Sequence, residues 1–413
     1  MASSSGASTY EPIEVFGDKI YQDSIATALL FPQNSPLEYP IIALNSGEVL
    51  TMSFDDLRGD GGYYSYTIYH CNSDWTLSDL NQFDYLGGFT NDDFDDYRFA
   101  FNTLQDYTQY RVAFPNNRMH LKLSGNYVFV VYANGDENDV VLTKRFMVYE
   151  NGPLIVTPEL LTPTINRYRY THQRLRFTVD YSSLPNLSPM TDLEIVVLQN
   201  GRWDNALKNL EPTFIRNEEL IYDYADQSLF RAGREFRYVD FRNFTFLADR
   251  ITRITKDDTT NYVHIQRDEF RRDQQYRYWK DLNGRYLIGR FGGLTQMDAD
   301  YAWVNFSLRV KEPLDSAEVF VFGGFTDWEI QEKMKMNFNP IKQMYEASVY
   351  LKQGLYNYEY VVKNTAKDEL DSDIFEGNYW QTENDYLILV YHRPFGGRFQ
   401  KLINYQLINS RVL

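Results

Sequence analysis

Few residues in this 413-residue chain are equipped for chemistry. Five histidines (His70, His120, His172, His264 and His392) and one cysteine, Cys71, make up its stock of soft metal ligands and strong nucleophiles. His70 beside Cys71 suggests a thiolate–imidazole pair, in which the ring takes the thiol proton. Consecutive residues on a strand point to opposite faces, however, so the two side chains are expected to occupy structural positions instead. No two histidines are spaced as H-x-x-x-H, which removes a zincin site. A single thiol forms neither an intrachain disulfide nor a thiolate cluster, and it does not decide the redox compartment. There is no G-x-S-x-G elbow, no phosphate-binding G-x-x-x-x-G-K-[ST] loop and no G-x-G-x-x-G turn.

The carboxylates are numerous, 57 in all, but little surrounds them that specifies a reaction. The run Asp92-Asp93-Phe94-Asp95-Asp96 has three readings: a solvated acidic loop, a partner-binding patch or a calcium site, although the EF-hand frame is missing. Its five residues are candidate partner contacts. Paired carboxylates for glycoside hydrolysis need a separation that only the fold can set. Arginines interleave with aromatics at Arg234, Arg237 and Arg242, and again at Arg271, Tyr276, Arg277, Tyr278 and Trp279. Cross-strand ion pairs and Arg–Tyr stacking explain this more simply than single-stranded nucleic acid does. The net charge of −16 also repels nucleic acid and anionic membranes. It is uneven: residues 1–150 carry 8 basic against 21 acidic residues, so a partner of that region should be neutral or basic.

The elements that must position these residues read as strands. Aromatic residues make up 16% of the chain, and they suit pleated, half-buried surfaces. Leu50, Met52 and Phe54 alternate with Val49, Thr51 and Ser53, and Tyr64, Tyr66 and Ile68 repeat the period. Tyr127–Tyr132 and Val140–Tyr149 flank Asn134-Gly135-Asp136-Glu137, a hairpin signal. Between these pairs, Asn72–Lys122 is irregular and too long for a passive loop. No sustained helical period appears, which argues against a parallel α/β enzyme, and no apolar run reaches the ~18 residues of a membrane span. Asn151-Gly152-Pro153 marks one boundary, and a second falls between Gly284 and Thr295. The turns Leu86-Gly87-Gly88-Phe89-Thr90, Phe291-Gly292-Gly293-Leu294-Thr295 and Phe322-Gly323-Gly324-Phe325-Thr326 share strand-to-turn chemistry without a fixed period.

Several stretches are more specific than composition. They are His70-Cys71-Asn72-Ser73-Asp74-Trp75, Phe101-Asn102-Thr103, Phe114-Pro115-Asn116, Leu123-Ser124-Gly125-Asn126-Tyr127 and Leu142-Thr143-Lys144-Arg145-Phe146-Met147-Val148. In this order and spacing the chain resembles the N-terminal domain of the plug proteins of the bacterial type IX secretion system. The likeness continues through Arg234-Glu235-Phe236-Arg237-Tyr238-Val239-Asp240-Phe241-Arg242, and then Glu376-Gly377-Asn378-Tyr379-Trp380 and Gln381-Thr382-Glu383-Asn384-Asp385-Tyr386. It implies a periplasmic β protein that docks on the outer-membrane translocon β-barrel and blocks its pore when no substrate is engaged. It offers no catalytic residues, cofactor or metal to carry over. Separately, Val319–Gly324, Trp328, Gly354 and Tyr356–Val362 resemble the early-set sandwiches of starch and glycogen enzymes, an argument about fold alone. Trp328 stands where that resemblance places a tryptophan, as a core or turn residue or as a sugar platform.

The expectation is therefore an all-β chain of tandem immunoglobulin-like β-sandwich domains, the last of early-set type. Residues 1–9 would be a disordered tail or a start that replaces a removed export signal. Residues 10–150 would form the N-terminal sandwich, 151–293 an Arg-rich middle domain, 294–395 the early-set domain and 396–413 a tail. That tail, with Phe399, Leu402, Tyr405 and Leu407, has no assigned place in a sandwich and joins the acidic run as a candidate contact. The expected protein is non-enzymatic and periplasmic. It has no cofactor, nucleic-acid partner, small-molecule substrate or membrane-spanning segment. The alternatives are a periplasmic glycan-binding multi-domain protein and a hydrolase with dispersed carboxylates.

Overall fold

Period-2 alternation dominates the chain, and in the computed structural model it becomes strands. Residues 16–184, 187–291, 299–364 and 370–411 are described. The α-helices Gln82–Tyr85 and Pro189–Asp192 are single turns. The expected fold class holds: the architecture is all-β, built from sandwiches. The expected leading segment 1–9, and the 293/294 boundary with its Gly292–Thr295 turn, lie outside the described residues.

The first sandwich packs two sheets around an aromatic core. One has the order Ile25–Pro32, Leu50–Asp56, Thr108–Phe114, Asp96–Phe99; the other runs Val140–Tyr149, Gly125–Ala133, Tyr64–Cys71, Asn91–Asp93. Phe54 stacks on Tyr110 with centroids 5.1 Å apart, and Tyr66 on Phe129 at 4.7 Å. Such rings bury about 150–250 Å² each, and the tyrosine hydroxyls stay satisfied: Tyr64 donates to Asp56 at 2.8 Å and Tyr110 to the Gly62 carbonyl at 2.6 Å. At the Asn134-Gly135 hairpin both residues have positive φ, 57° and 71°, a conformation this dipeptide accepts at low cost.

The same sheet continues into the second sandwich through Lys401–Asn409, Asp385–His392 and Leu193–Gln199. One face of these strands (Ile195, Val197, Ile388, Val390, Ile403) packs on Leu175, Phe177 and Val179 of a five-stranded sheet. The opposite face (Val196, Leu198, Leu387, Leu389, Leu402) packs on Val128, Val130 and Met147 of the first sandwich. Burial on both faces is why Asp192–Gln199 reads as a near-continuous apolar run rather than an alternation.

The third sandwich is a ten-stranded sheet, from Arg237–Asp240 through Gly354–Asn364 to Ile251–Lys256, that encloses Val239, Val304, Phe306, Val321, Val349 and Tyr358. Its strands all fall between those of the second sandwich, after Leu229–Arg231 and before Asp385–His392. The contiguous boundaries 151–293, 294–395 and 396–413 are thus replaced by an insertion, and the expected tail is corrected to a strand inside the nine-stranded sheet. The physical reason is non-local pairing. Leu193 pairs with His392 and Gln199 with Tyr386, a register that no local pattern announces.

The interleaved arginines become a buried charge network that closes the third sandwich. Arg237 donates to Glu376 at 2.9 Å and to Asp268 at 2.7 Å. Arg250 reaches Asp268 at 2.5 Å and Arg271 reaches Glu376 at 2.5 Å. The hydroxyls of Tyr358 and Tyr360 both donate to Asp268 at 2.8 Å. Burial pushes the Glu376 carboxyl upward, but Arg237 and Arg271 outweigh it and hold the group down to about 2.

Two outcomes follow from this packing. Deleting residues 401–413 should abolish cooperative melting and soluble recovery, because it strips a strand buried on both faces; a folded, normally melting truncation would contradict the topology. A carboxyl with a pKa depressed on folding stabilises the native state above its unfolded value, and loses that effect as pH falls toward the folded value. The melting temperature should therefore fall between pH 4.5 and about 2. Glu376→Gln should flatten that limb and cost about 3–5 kcal/mol at neutral pH by leaving buried arginines unpaired.

Candidate functional site

The expected contact residues separate once folded. Asp92 lies in a strand opposite Tyr66, is buried, accepts from Tyr66 Oη at 3.3 Å and pairs with Arg118 at 2.8 Å. Asp93 accepts from Ser65 at 2.7 Å and Tyr63 at 2.9 Å. Phe94 is in the core, edge-on to Phe54 at 5.2 Å. Only Asp95 and Asp96 stay exposed, with Asp95 3.1 Å from Arg118 and Asp96 3.5 Å from Arg98. The run is thus a crossover between the edges of the two sheets, with Asp92 and Asp95 sharing Arg118 and Asp93 and Asp96 serving other partners. Among the described residues no group of three or more His, Cys, Asp or Glu side chains is placed to hold a metal ion.

At the other end of the chain, Leu402 is fully buried, and Tyr405 packs edge-on against Tyr149 at 4.8 Å. Phe399 meets the His70 ring at 5.4 Å. Leu407 alone of the four is an exposed hydrophobic. Leu402 is therefore corrected from a contact to a core residue; the Pro394–Gly397 turn that suggests a domain end is a hairpin between two paired strands. His70 and Cys71 occupy opposite faces, in different core clusters. His70 Nε2 lies 3.1 Å from the Ser124 carbonyl. Burial pulls the imidazole down to about 4 and pushes the thiol up to about 12. Trp328 is packed edge-on against Phe322 at 5.5 Å, under the Arg202 guanidinium at 4.6 Å, so its face is covered.

A set of exposed aromatics lies inside the irregular 72–122 segment, beside the acidic run. Phe83, Phe89, Tyr97, Phe99 and Phe101 are all exposed, Phe83 at 74% and Phe101 at 75%. Tyr97 and Phe99 sit on Asp96–Phe99, the outer strand of its sheet. Tyr97 stacks on Tyr110 at 5.7 Å and touches Phe99 edge-on at 6.1 Å, so the core's aromatic ladder runs out to the surface. The exposed carboxylates Asp95 and Asp96 directly precede Tyr97 in the chain. Aromatic anchors within a charged rim are the anatomy of a protein interface. A hint was available: the i, i+2 aromatics Tyr97, Phe99 and Phe101 alternate with no matching apolar face.

This segment is held by the third sandwich. The backbone N–H groups of Leu104 and Gln105 donate to Asp300 at 2.8 and 3.1 Å, Tyr107 donates to the Ala299 carbonyl at 2.8 Å, and Tyr350 donates to Gln105 at 2.8 Å. Beside them Lys352 pairs with Asp55 at 2.5 Å, both side chains at 1% exposure or less. Tyr301 donates to the same carboxylate oxygen at 2.7 Å, and the Lys352 ammonium lies 4.0 Å above the Tyr107 ring. Burial pulls the ammonium below the ordinary lysine range, with Asp55 and Asp300 opposing. A second clamp joins Lys144 to Asp327 at a cavity of about 190 Å³ where the sandwiches meet. Burial opposes the charge on Lys144, but Asp327 and Asp18 outweigh it and raise the ammonium above the ordinary lysine range. In the same cavity Arg145 lies over Trp75 at 5.1 Å and Trp203 at 5.8 Å.

Residues 25–150 match the family model described as "Type 9 secretion system plug protein 1st domain". These residues span the first sandwich and carry all five exposed aromatics. A solved structure of a hypothetical protein from Parabacteroides merdae ATCC 43184 is 31% identical, with a TM-score of 0.91 over 96% of this chain and 100% of that one. A marsupial T cell receptor, 9% identical over 84% of this chain and 99% of that one, aligns with a TM-score of only 0.17 and carries no argument. No curated protein matches. No helix among the described residues is long and apolar enough to cross a membrane.

Lys352→Met should cost about 3–5 kcal/mol, since it leaves Asp55 buried without its cation. Replacing both partners with apolar residues should recover much of that loss. Chemical denaturation of the single and double variants checks this, and an unaffected single variant would show that the pair does not clamp the two sandwiches.

Proposed function

The chain belongs to the type IX secretion system plug protein family, and on that premise we propose that it is a non-enzymatic periplasmic plug. It docks on the outer-membrane translocon β-barrel and seals it when no substrate is engaged. The observation that carries the reading is the acidic, aromatic-studded edge of the family-matched sandwich, anchored to the third sandwich at Asp300 and Tyr350. A barrel wide enough for folded cargo leaks solutes when empty. Its stopper must be stiff enough to fill a wet mouth and must still come off. A polar rim with a few aromatic anchors suits reversible docking, because most of the binding energy then rests on a handful of side chains. The net charge of the first 150 residues directs this edge toward a neutral or basic mouth. Asp95, Asp96 and Leu407 remain as proposed rim contacts.

Affinity capture from native envelopes, read by mass spectrometry, tests the proposal. The wild-type chain should recover a giant outer-membrane barrel. Phe83→Ser, Phe99→Ser and Phe101→Ser combined should lose it, each anchor being worth about 2 kcal/mol, or roughly thirtyfold in dissociation constant. Undiminished recovery with the folded triple variant would remove this edge as the docking surface. Absence of any barrel from the wild-type capture would remove the plug reading itself.

A further inference from the structure

The first sandwich covers one end of the outer face of the third sandwich's sheet and leaves the rest open. Strands Ile251–Lys256, Asn261–Ile265, Tyr301–Arg309, Met344–Lys352 and Lys335–Asn339 lie side by side in the order 251–256, 261–265, 301–309, 344–352, 335–339. Ala302, Val304, Phe306 and Leu308 point into the core, so Trp303, Asn305 and Ser307 point away from it. In register with them across the next strand stand Tyr350, Ser348 and Glu346. His264 flanks Asn305 on one side, and Asn337 flanks Glu346 on the other. The face forms an open groove of about 750 Å³ lined by His264, Asn305, Ser307, Asn337, Glu346 and Ser348. Five strands at about 4.8 Å spacing make its floor roughly 19 Å across.

The groove's cations are already matched: Lys342 lies 2.8 Å from Glu346, Arg267 3.4 Å from Glu269, and Lys335 pairs with Glu318. The side chains of Ser307, Ser348 and Asn337 make no hydrogen bond to another described residue, so their donors and acceptors are unspent. Trp303 stands at the end of this row, 38% exposed and 4.9 Å from Tyr350. A protein partner would want an apolar centre to the patch, and a nucleic acid would want unpaired cations. This groove has neither. An accessible aromatic ring stands beyond its end, and Asn305, Ser348, Ser307 and Asn337 set neutral hydrogen-bonding groups around the Lys342–Glu346 pair, which fits a ligand with an apolar C–H face and a rim of hydroxyls.

We propose that this sheet face binds an uncharged oligosaccharide, with a pyranose ring packed on Trp303 and its neighbours hydrogen-bonded along Asn305, Ser348, Ser307 and Asn337. The site is on a different sandwich from the docking edge and stands or falls independently of the plug reading. Titration calorimetry of the whole chain with chitotetraose, and separately with maltotetraose, tests it. At least one of the two should bind saturably. Trp303→Ala should weaken binding about tenfold, the scale of one lost stacking contact. Ser348→Lys, at an exposed position that leaves the core intact, should abolish it without changing the melting temperature. Failure of both sugars to bind, or binding that persists unchanged in both variants, overturns the assignment.

Discussion

The structure depends on charges that have been taken out of water at the joints. Asp55 on the first sandwich and Lys352 on the third are separated by 297 residues in sequence, and each would lose several kcal/mol of hydration if left alone in that site. Only one mutual placement of the two sandwiches gives the carboxylate both the ammonium and the Tyr301 hydroxyl. The Lys144–Asp327 pair imposes a second constraint of the same kind between the same two bodies. Apolar contacts alone would tolerate some sliding. Two buried ion pairs do not, because any displacement exposes a charge to a low-dielectric wall. The first and third sandwiches are therefore held as one rigid object.

That rigidity gives meaning to the aromatic edge. The segment that carries Phe99 and Phe101 is tied at one end into its own sheet and at the other into Asp300 and Tyr350. The exposed rings are thus presented at a defined place on the body, with less conformational entropy to lose on docking than a free loop would have. Tyrosine and phenylalanine do two jobs in this chain. Inward, they fill the sandwiches, with hydroxyls spent on buried acceptors. At the outer strand of one sheet the same ladder continues without a cover.

Much of the fold was legible and its connectivity was not. Leu50, Met52 and Phe54, Tyr64 through Ile68, and the Asn134-Gly135 hairpin appear where alternation and turn chemistry place them, because those signals are local. Thr108–Phe114 is also legible, with Tyr110, Val112 and Phe114 in alternation, although the stretch around it has no sustained period. The insertion of the third sandwich and the pairing of Leu193–Gln199 with Asp385–His392 were hidden, since strand partners far apart in sequence leave no periodic trace. The acidic run differs from its expected exposure for a related reason: charge alone predicts a solvated position, whereas Asp92 is buried beside Arg118 and Tyr66. The arginine-rich stretch, read as ion pairing and stacking, resolves into Arg237, Arg250 and Arg271 around Asp268 and Glu376.

The split second sandwich bears on how the molecule comes into being. Its core needs Tyr386, Ile388, Val390, Ile403 and Ile408 to face Leu175, Phe177 and Val179. A chain emerging N-terminus first can complete the aromatic core of the first sandwich early, but it must carry an open apolar sheet past the whole third sandwich before those partners arrive. Such long-range closure is slow. The docking of Lys401–Asn409 is thereby the step that completes the second sandwich's core.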